Sequence, residues 1–438
     1  MRYILALVYA FIAPLFINQQ LAAQEKLTVE QAVQIALQNN YDIKLVSNSL
    51  DISKNNVSLA NAGILPMVSG DFNSNATIQN TDQTQSTGQV VHREGAKNSS
   101  MTYGVNLNWK IFDGFEMFAN YDRLKELQKL GEVNLRSTIL GTVTNVINAY
   151  YSLVSQQQAL NSAETTLEIS QLRLRNATNR YSIGKAAKLE VLNAKVDLNT
   201  DTTNLLRMQD AFKTSKIQLN ELLARDINTD FTITDTIIID NQLALNTLQN
   251  QMASLNPDLQ AAIVNQRIAE LNLKQVKASR YPDISFNTGY NFSKTTSELG
   301  FARQSQGKGF NYGLTASINI FNGFLQKKNE KNAAIEIENA RLEYDKLHQN
   351  IQSQLLSAYQ TYQTNLKLVT LEQKNQAVAK QNLDITLEKF KLGTVAPIDF
   401  REAQLNYVEA SVRYTNAQYA AKISEIALKQ LSGTLELQ

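Results

Sequence analysis

Asn179-Arg180-Tyr181-Ser182-Ile183-Gly184-Lys185-Ala186-Ala187-Lys188-Leu189-Glu190-Val191-Leu192 is the stretch on which the fold turns, because an apolar heptad runs into it and another runs out. Val146, Leu153, Leu160, Leu167, Leu174 and Tyr181 fall seven apart on the way in, with the small residues Ala163, Ser170 and Ala177 three places after later members. Val191, Leu198, Leu205, Phe212 and Leu219 fall seven apart on the way out. A seam that repeats every seven residues keeps facing a partner only when the helices supercoil. The pattern predicts an antiparallel coiled-coil hairpin bent at Gly184, a residue free to take the positive φ of a helix C-cap.

A second copy of the turn stands at Lys389-Phe390-Lys391-Leu392-Gly393-Thr394-Val395-Ala396-Pro397-Ile398-Asp399-Phe400, with Gly393 offset from Gly184 by 209 (393 − 184). Its outgoing seam is Phe400, Tyr407, Tyr414, Ala421 and Leu428. Ile111-Phe112-Asp113-Gly114-Phe115 and Ile320-Phe321-Asn322-Gly323-Phe324 share the offset of 209 (320 − 111). The chain is therefore an internal duplication, two halves of one architecture. Pro66 and Pro282, each closing a helical pattern, are 216 apart (282 − 66), so the halves differ by seven residues between these prolines and the Ile-Phe-Asx-Gly motifs. The extra length is expected in the polar loop Gln79 to Ser100 of the first half, against Ser293 to Gly309 of the second.

Between those landmarks the period changes from helical to two. Met101, Tyr103, Val105, Leu107, Trp109 and Ile111 alternate with polar residues or glycine, and so do Phe310, Tyr312, Leu314, Ala316, Ile318 and Ile320. Ile284 to Phe292 gives a third such segment and Val68 to Ala76 a weaker fourth. Each is expected to be a strand of ~9–11 residues with one greasy and one wet face, the size of a tilted transmembrane β-strand. A half-buried soluble sheet alternates in the same way. On the membrane reading Tyr103, Trp109, Phe286, Tyr290, Phe310 and Tyr312 face lipid. Four strands cannot close a barrel, and open edges are not tolerated in hydrocarbon, so several chains must pool their strands.

The remaining composition mostly excludes. Lys plus Arg number 42 against 40 Asp plus Glu in 438 residues, scattered along the chain, which argues against nucleic acid. There are no cysteines and only two histidines, His92 and His348, so a metal centre is not expected and no cofactor is called for. No nucleophile with a base, carboxylate pair or glycine-rich phosphate loop marks an enzyme. Arg2 followed by an apolar run to Ile17 and a close at Ala22-Ala23 reads as a secretory signal over residues 1–23. Thr28-Val29-Glu30-Gln31 reads as a capping box opening a helix that continues to Ala62-Gly63. The β-branched run Thr232 to Ile239 reads as a small strand in a connector spanning 226–254.

Taken together, Tyr181-Ser182-Ile183-Gly184, Phe390-Lys391-Leu392-Gly393-Thr394, the Pro66 and Pro282 crossings and the paired Ile-Phe-Asx-Gly motifs resemble the TolC-like outer-membrane efflux proteins. The resemblance covers the chain after the signal. It implies long coiled-coil hairpins with a transmembrane β-barrel contribution of four strands per chain. The expected domains are a first efflux repeat over 24–225 (strands about 67–77 and 101–112, hairpin about 115–224), the connector, and a second repeat over 255–438 (strands about 283–292 and 310–321, hairpin about 324–432). It further implies a homotrimer in the outer membrane of a Gram-negative bacterium, with a long periplasmic portion. Such a duct works with a periplasmic adaptor and an inner-membrane pump, does no chemistry, and passes drugs, metals or proteins in efflux or type I secretion. By residue matching, Asp399, Glu402, Glu190 and Phe390 stand at the expected periplasmic constriction. Ser182, Ile183, Gly184, Lys185, Leu392, Gly393 and Thr394 stand at the adaptor-docking turns. Two positions depart from the family's polar lock, with Phe390 where Tyr is typical and Val395 where Arg is typical. A trimeric surface stalk or adhesin is the alternative reading of long coiled coils.

Overall fold

The structure, a computed structural model, describes residues 25–233, 236–298 and 302–435. The signal segment expected over 1–23 lies outside the described residues. Two compact units divide the described chain, one from 42–138 and 249–354, the other from 25–41, 139–248 and 355–435.

The first unit carries a four-stranded antiparallel sheet, and its order follows the duplication. β2 (Met67–Thr84) and β3 (Val90–Asp113) form one hairpin, β5 (Asp283–Ser297) and β6 (Gln304–Ser317) the other, and the order is β2-β3-β5-β6. These strands are longer than the expected ~9–11 residues. Most of Gln79–Ser100, expected as a polar loop, is strand, and the reversal is confined to Gln85–Gln89, where the Gln85 N–H donates to the Gln89 carbonyl (2.8 Å). Ser293–Gly309 is likewise mostly strand. Polar residues do not interrupt a ladder whose hydrogen bonds are all main-chain. β6, in contrast, stops at Ser317, and the residues expected to extend it, 318–321, form no ladder, Ile320 being 94 % exposed.

Register sorts the faces. Tyr103 stands opposite Phe292, Val105 opposite Tyr290, Trp109 opposite Phe286, and Tyr290 opposite Phe310, so the apolar residues of four strands share one side. The other side is a checkerboard of amides and glycines. Asn106 faces Gly289, Asn291 faces Gly104, and Asn311 faces Gly289. Two of these asparagines lie across the glycine beside them: a Cβ on Gly104 would stand 2.0 Å from the Asn291 Oδ1, and one on Gly289 2.2 Å from the Asn106 Oδ1. The Asn291 amide donates to Asn106 (3.1 Å) and Asn311 (2.9 Å), and the Asn106 amide donates to Asp71 (2.7 Å).

At the far end of the sheet from the turns, each half passes from strand to long helix through an Asx-Gly-Phe corner. Asp113 accepts from the Met117 N–H (3.2 and 3.1 Å) and Asn322 from the Gln326 N–H (3.3 Å), satisfying amides that a helix start leaves free. Gly114 and Gly323 have φ of 70° and 64°, and Phe115 and Phe324 follow with 72° and 62°. A Cβ at Gly114 would meet the Ala278 carbonyl at 2.3 Å, so glycine is required there for close approach as well as for φ.

The helices are α4 (Glu116–Ser182) and α5 (Lys188–Leu222) in the first half, α8 (Leu325–Lys391) and α9 (Pro397–Ser432) in the second. α4 and α8 have 67 residues each, about 100 Å at ~1.5 Å per residue. Heptad members Val146, Leu153, Leu160, Leu205 and Leu219 are buried, as are Phe400, Ala421 and Leu428 in α9.

The helical run before the sheet is divided rather than continuous. α1 (Val29–Asn39), α2 (Tyr41–Asn56) and the short α3 (Leu59–Ala62) are separated at Asn40, whose ψ of 132° leaves the helical region, and at Ser58, which caps α3. In the second half α6 (Leu245–Leu255) and α7 (Pro257–Ala278) are separated at Asn256, which caps α7. Asn256 is 216 positions after Asn40 (256 − 40), the same offset as the two prolines. Thr28 and Gln31 form the expected reciprocal capping box.

In the second unit, β1 (Glu25–Leu27) pairs in parallel with β4 (Phe231–Ile233). Among the described residues only the start of the β-branched run is strand. Its members 234–235 lie outside the described residues and 236–239 pair with nothing regular. The connector is nevertheless built in. Phe231 is fully buried with Leu27, Tyr150, Leu219 and Leu223, and the Tyr150 hydroxyl donates to the Leu27 carbonyl (2.8 Å). Each such large apolar side chain contributes ~1.5–3 kcal/mol on burial.

Candidate functional site

The two hairpin turns are built alike from the main chain. The Gly184 N–H donates to the Tyr181 carbonyl (3.0 Å) and the Lys185 N–H to Arg180 (2.8 Å); Gly393 and Thr394 donate to Phe390 and Lys389 (3.0 Å each). This is the Schellman pattern, with glycine φ of 72° and 75° supplying the left-handed residue. No neighbour stands within 4 Å of a Cβ built on either glycine, so the turns are open on that side. Ile183 and Leu392 occupy equivalent places and are 66 % and 79 % exposed. Ser182, Lys185 and Thr394 are exposed as well.

Beside the second turn, Phe390 and Phe400 stack with ring centroids 4.8 Å apart and planes 10° from parallel. Leu383, Leu387, Tyr407 and Ile169 of α4 close around them, leaving Phe390 only 5 % exposed. Phe390 thus sits inside the helix packing and presents no face to an adjoining space. Asp399 and Glu402 are exposed, whereas their neighbours Phe400, Arg401 and Ala403 on α9 are buried. Glu190 is paired with Arg180 (3.2 Å) within its own hairpin. The four constriction candidates therefore divide: two free carboxylates on one helix face, one carboxylate engaged, and one ring in the core.

A buried polar cluster next to these residues is absent from the sequence reading. Arg401 of α9 reaches Asp201 of α5 with both terminal nitrogens (2.9 and 3.0 Å), and the two side chains are 11 % and 8 % exposed. Ser170 of α4 donates to Asp201 (2.6 Å), and Gln404 donates to Ser170 and to the Thr166 carbonyl (3.1 Å each). Gln404 in turn accepts from Arg401 (3.0 Å), while Asp197 accepts from Arg173 (2.6 Å). One cluster thus ties α9 of the second half to α4 and α5 of the first. The bidentate fork suits arginine, and the surrounding donors satisfy a carboxylate that burial would otherwise penalise. Its only sequence trace is charge at positions 197, 201 and 401 inside coiled-coil seams. Among the described residues no group of His, Asp and Glu is arranged to hold a metal ion, and His92 lies on β3, paired with Asp82.

The family model described as "Outer membrane efflux protein" matches residues 32–225 and 248–434. The chain belongs to the outer membrane efflux protein family. Among relatives of this efflux protein, outer membrane protein TolC of Escherichia coli strain K12 is 20 % identical over 78 % of this chain and 71 % of its own length. Outer membrane protein TolC of Salmonella enteritidis is also 20 % identical, and the chain spans 62 % of its length. Outer membrane efflux protein BepC of Brucella suis biovar 1 is 20 % identical over 95 % and 87 %. The CmeC outer membrane channel of Campylobacter jejuni superposes with a TM-score of 0.78 at 17 % identity, covering 93 % of this chain and 87 % of that one. That likeness fixes the fold as a TolC-like arrangement of coiled-coil hairpins and barrel strands. The efflux protein resides in the outer membrane, its helices periplasmic.

Proposed function

We propose that three copies of this chain form the outer-membrane exit duct of a tripartite efflux or type I secretion system. The carrying observation is the four-stranded sheet with one exposed apolar face and two unpaired edges, a geometry that lipid tolerates only when other copies close it. On this reading Tyr103, Trp109, Phe286, Tyr290, Phe310 and Tyr312 meet lipid and the Asn-Gly checkerboard lines the lumen. The repeats over 24–225 and 255–438 are then equivalent wall segments, joined by 226–254. The duct passes drugs, metals or proteins without chemistry of its own.

The exposed apolar pair Ile183 and Leu392, at matching places in two turns of identical hydrogen bonding, suits a hydrophobic contact with a periplasmic adaptor, itself coupled to an inner-membrane pump. Asp399 and Glu402, repeated by threefold symmetry, place six carboxylates at the periplasmic constriction. Phe390 supports that region from within by packing on Phe400. Replacing Gly184 and Gly393 with valine puts a β-branched residue at φ above 70°. The double variant should assemble as trimers and lose export and adaptor cross-linking. Normal export by assembled trimers would refute the docking assignment, and a monomeric mass in mild detergent would refute the duct.

A further inference from the structure

We infer that the seam between neighbouring copies joins β6 to β2 with a stagger of four residues, or six at the steepest tilt, so that Tyr312 or Leu314 pairs with Phe72. This rests on the three-copy barrel proposed above and fixes what that proposal leaves open.

Within one chain the sheet has continuous rungs. Ser69 is opposite Asn106, Asn106 opposite Gly289, and Gly289 opposite Asn311. If Asn311 met Ser69 of the next copy, the rung would return to its own start after three chains. That is a barrel of untilted strands, which closed sheets do not form. All of the stagger must therefore be taken up at the three seams. Twelve strands about 4.8 Å apart, tilted about 35–45°, need a total stagger of roughly 12–17 residues at ~3.4 Å each, or about four to six per seam. An odd value would turn the apolar face of β2 inward, so only even values remain, four and at the limit six.

The direction also follows. The Lys97 carbonyl accepts from the N–H of Glu298, the residue just past β5 (3.3 Å), the Lys97 N–H donates to the Glu298 carboxylate (3.0 Å), and the Ser297 N–H donates to the Arg303 carbonyl (3.0 Å). Lys97 shares the apolar face of Tyr103, and Ser297 has the opposite face. With L-residues, these bonds order the strands β2, β3, β5, β6 from right to left as seen from the apolar side with the turns uppermost. Strands twist and coil right-handedly, so a rung followed leftward climbs toward the turn end. It must reach the next β2 above Ser69, which for a stagger of four is at Asn73.

Strand lengths agree independently. With that stagger Ser317 meets Met67 and Gln304 meets Asn80, so all 14 residues of β6 find partners in β2. The opposite stagger would leave β6 mostly unpaired. The pairing also sets Tyr312 against Phe72 and Leu314 against Gly70, continuing the aromatic pairing seen within the chain at Tyr103 and Phe292, whose rings stack at 4.9 Å.

The absence of native cysteine gives a clean background for the test. Phe72→Cys is combined in turn with Tyr312→Cys, Leu314→Cys, Lys308→Cys and Gln304→Cys, and outer membranes are oxidised before denaturing electrophoresis. Most of the protein should become a covalent trimer with Tyr312→Cys or Leu314→Cys. Preferential linking through Lys308→Cys (no stagger) or Gln304→Cys (opposite stagger) overturns the register, as does a trimer by native mass spectrometry in which no pair links. Loss of the trimer in the unmodified protein overturns the duct reading itself.

Discussion

Replacing Arg401 with methionine is expected to loosen α9 from α4 and α5 more than any other single change at the periplasmic end of the helices. The side chain is 11 % exposed, and its removal leaves the Asp201 carboxylate buried with Ser170 as its remaining side-chain donor in the cluster. Removing one partner of a buried pair costs about 3–5 kcal/mol, most of it the penalty on the charge left behind. Felt in full by the unfolding barrier, that is roughly a hundredfold or more in rate. Loss of helical circular dichroism in detergent-solubilised trimers at fixed temperature reads it directly, since such unfolding is a rate and not an equilibrium. Arg401→Met with Asp201→Asn removes both charges and should recover at least about half of the loss, giving a coupling of about 2 kcal/mol or more in a double-mutant cycle. Arg401→Lys keeps the charge without the fork and should fall between. Planar-bilayer conductance should rise with Arg401→Met if the cluster holds the periplasmic ends together. An unfolding rate within about twofold of the parent, which is under ~0.5 kcal/mol, would show the cluster to be incidental.

Other changes report on separate parts. Asp399→Asn with Glu402→Gln keeps side-chain shape and removes charge, so it should weaken cation selectivity and relieve block by multivalent cations in bilayers; unchanged block would place both residues away from the pore. Asp113→Ala removes the acceptor for the Met117 N–H and should cost about 1 kcal/mol, seen as faster trimer dissociation on heating. Gly114→Ala should be far worse than Gly323→Ala in assembly yield, because only the first meets a carbonyl at 2.3 Å while both have positive φ. The Tyr362 hydroxyl, donating to the Asp240 carbonyl, is pushed up to about 12, chiefly by burial and then by the charges of Asp240 and Glu425. Its folded value lies above the free value of about 10, so its contribution is complete below pH 10 and is lost as pH rises toward 12. Tyr362→Phe should flatten the pH dependence of the unfolding rate between pH 10 and 12, read by circular dichroism at fixed temperature.

What could be read from the sequence was what repeats. The heptads around Gly184 and the alternation at Tyr103 to Trp109 are periodic because a buried face recurs with the geometry of its element. The Asx-Gly-Phe corners and Schellman turns were visible twice, 209 residues apart. Strand ends were not, because polar residues such as Gln79 to Ser100 extend a ladder when the neighbouring strand supplies main-chain partners. The breaks at Asn40 and Asn256 were hidden because apolar spacing continues through them; Asn40 leaves the helix where its side chain reaches the Leu222 carbonyl (2.9 Å), a contact 182 residues away. Arg401 with Asp201, and Phe390 with Ile169, are pairings between the halves, and one residue's neighbours in sequence carry no sign of them. Phe390 was expected at the constriction, and its burial against Phe400 and Ile169 of α4 is visible only in the packing.

The asparagine-glycine checkerboard has a consequence for traffic. Asn291 lies over Gly104 and Asn106 over Gly289, with the Asn291 amide donating to Asn106 and Asn311 and the Asn106 amide to Asp71. If this face lines the lumen, as proposed above, a solute sliding past it meets Asn291 and Asn106 amides that already donate within the sheet. Movement along a pore is fastest where sites bind weakly enough to release. In the three-copy barrel proposed above, the belt is a low-adhesion lining, where residence is governed by bulk and by flow more than by chemical identity.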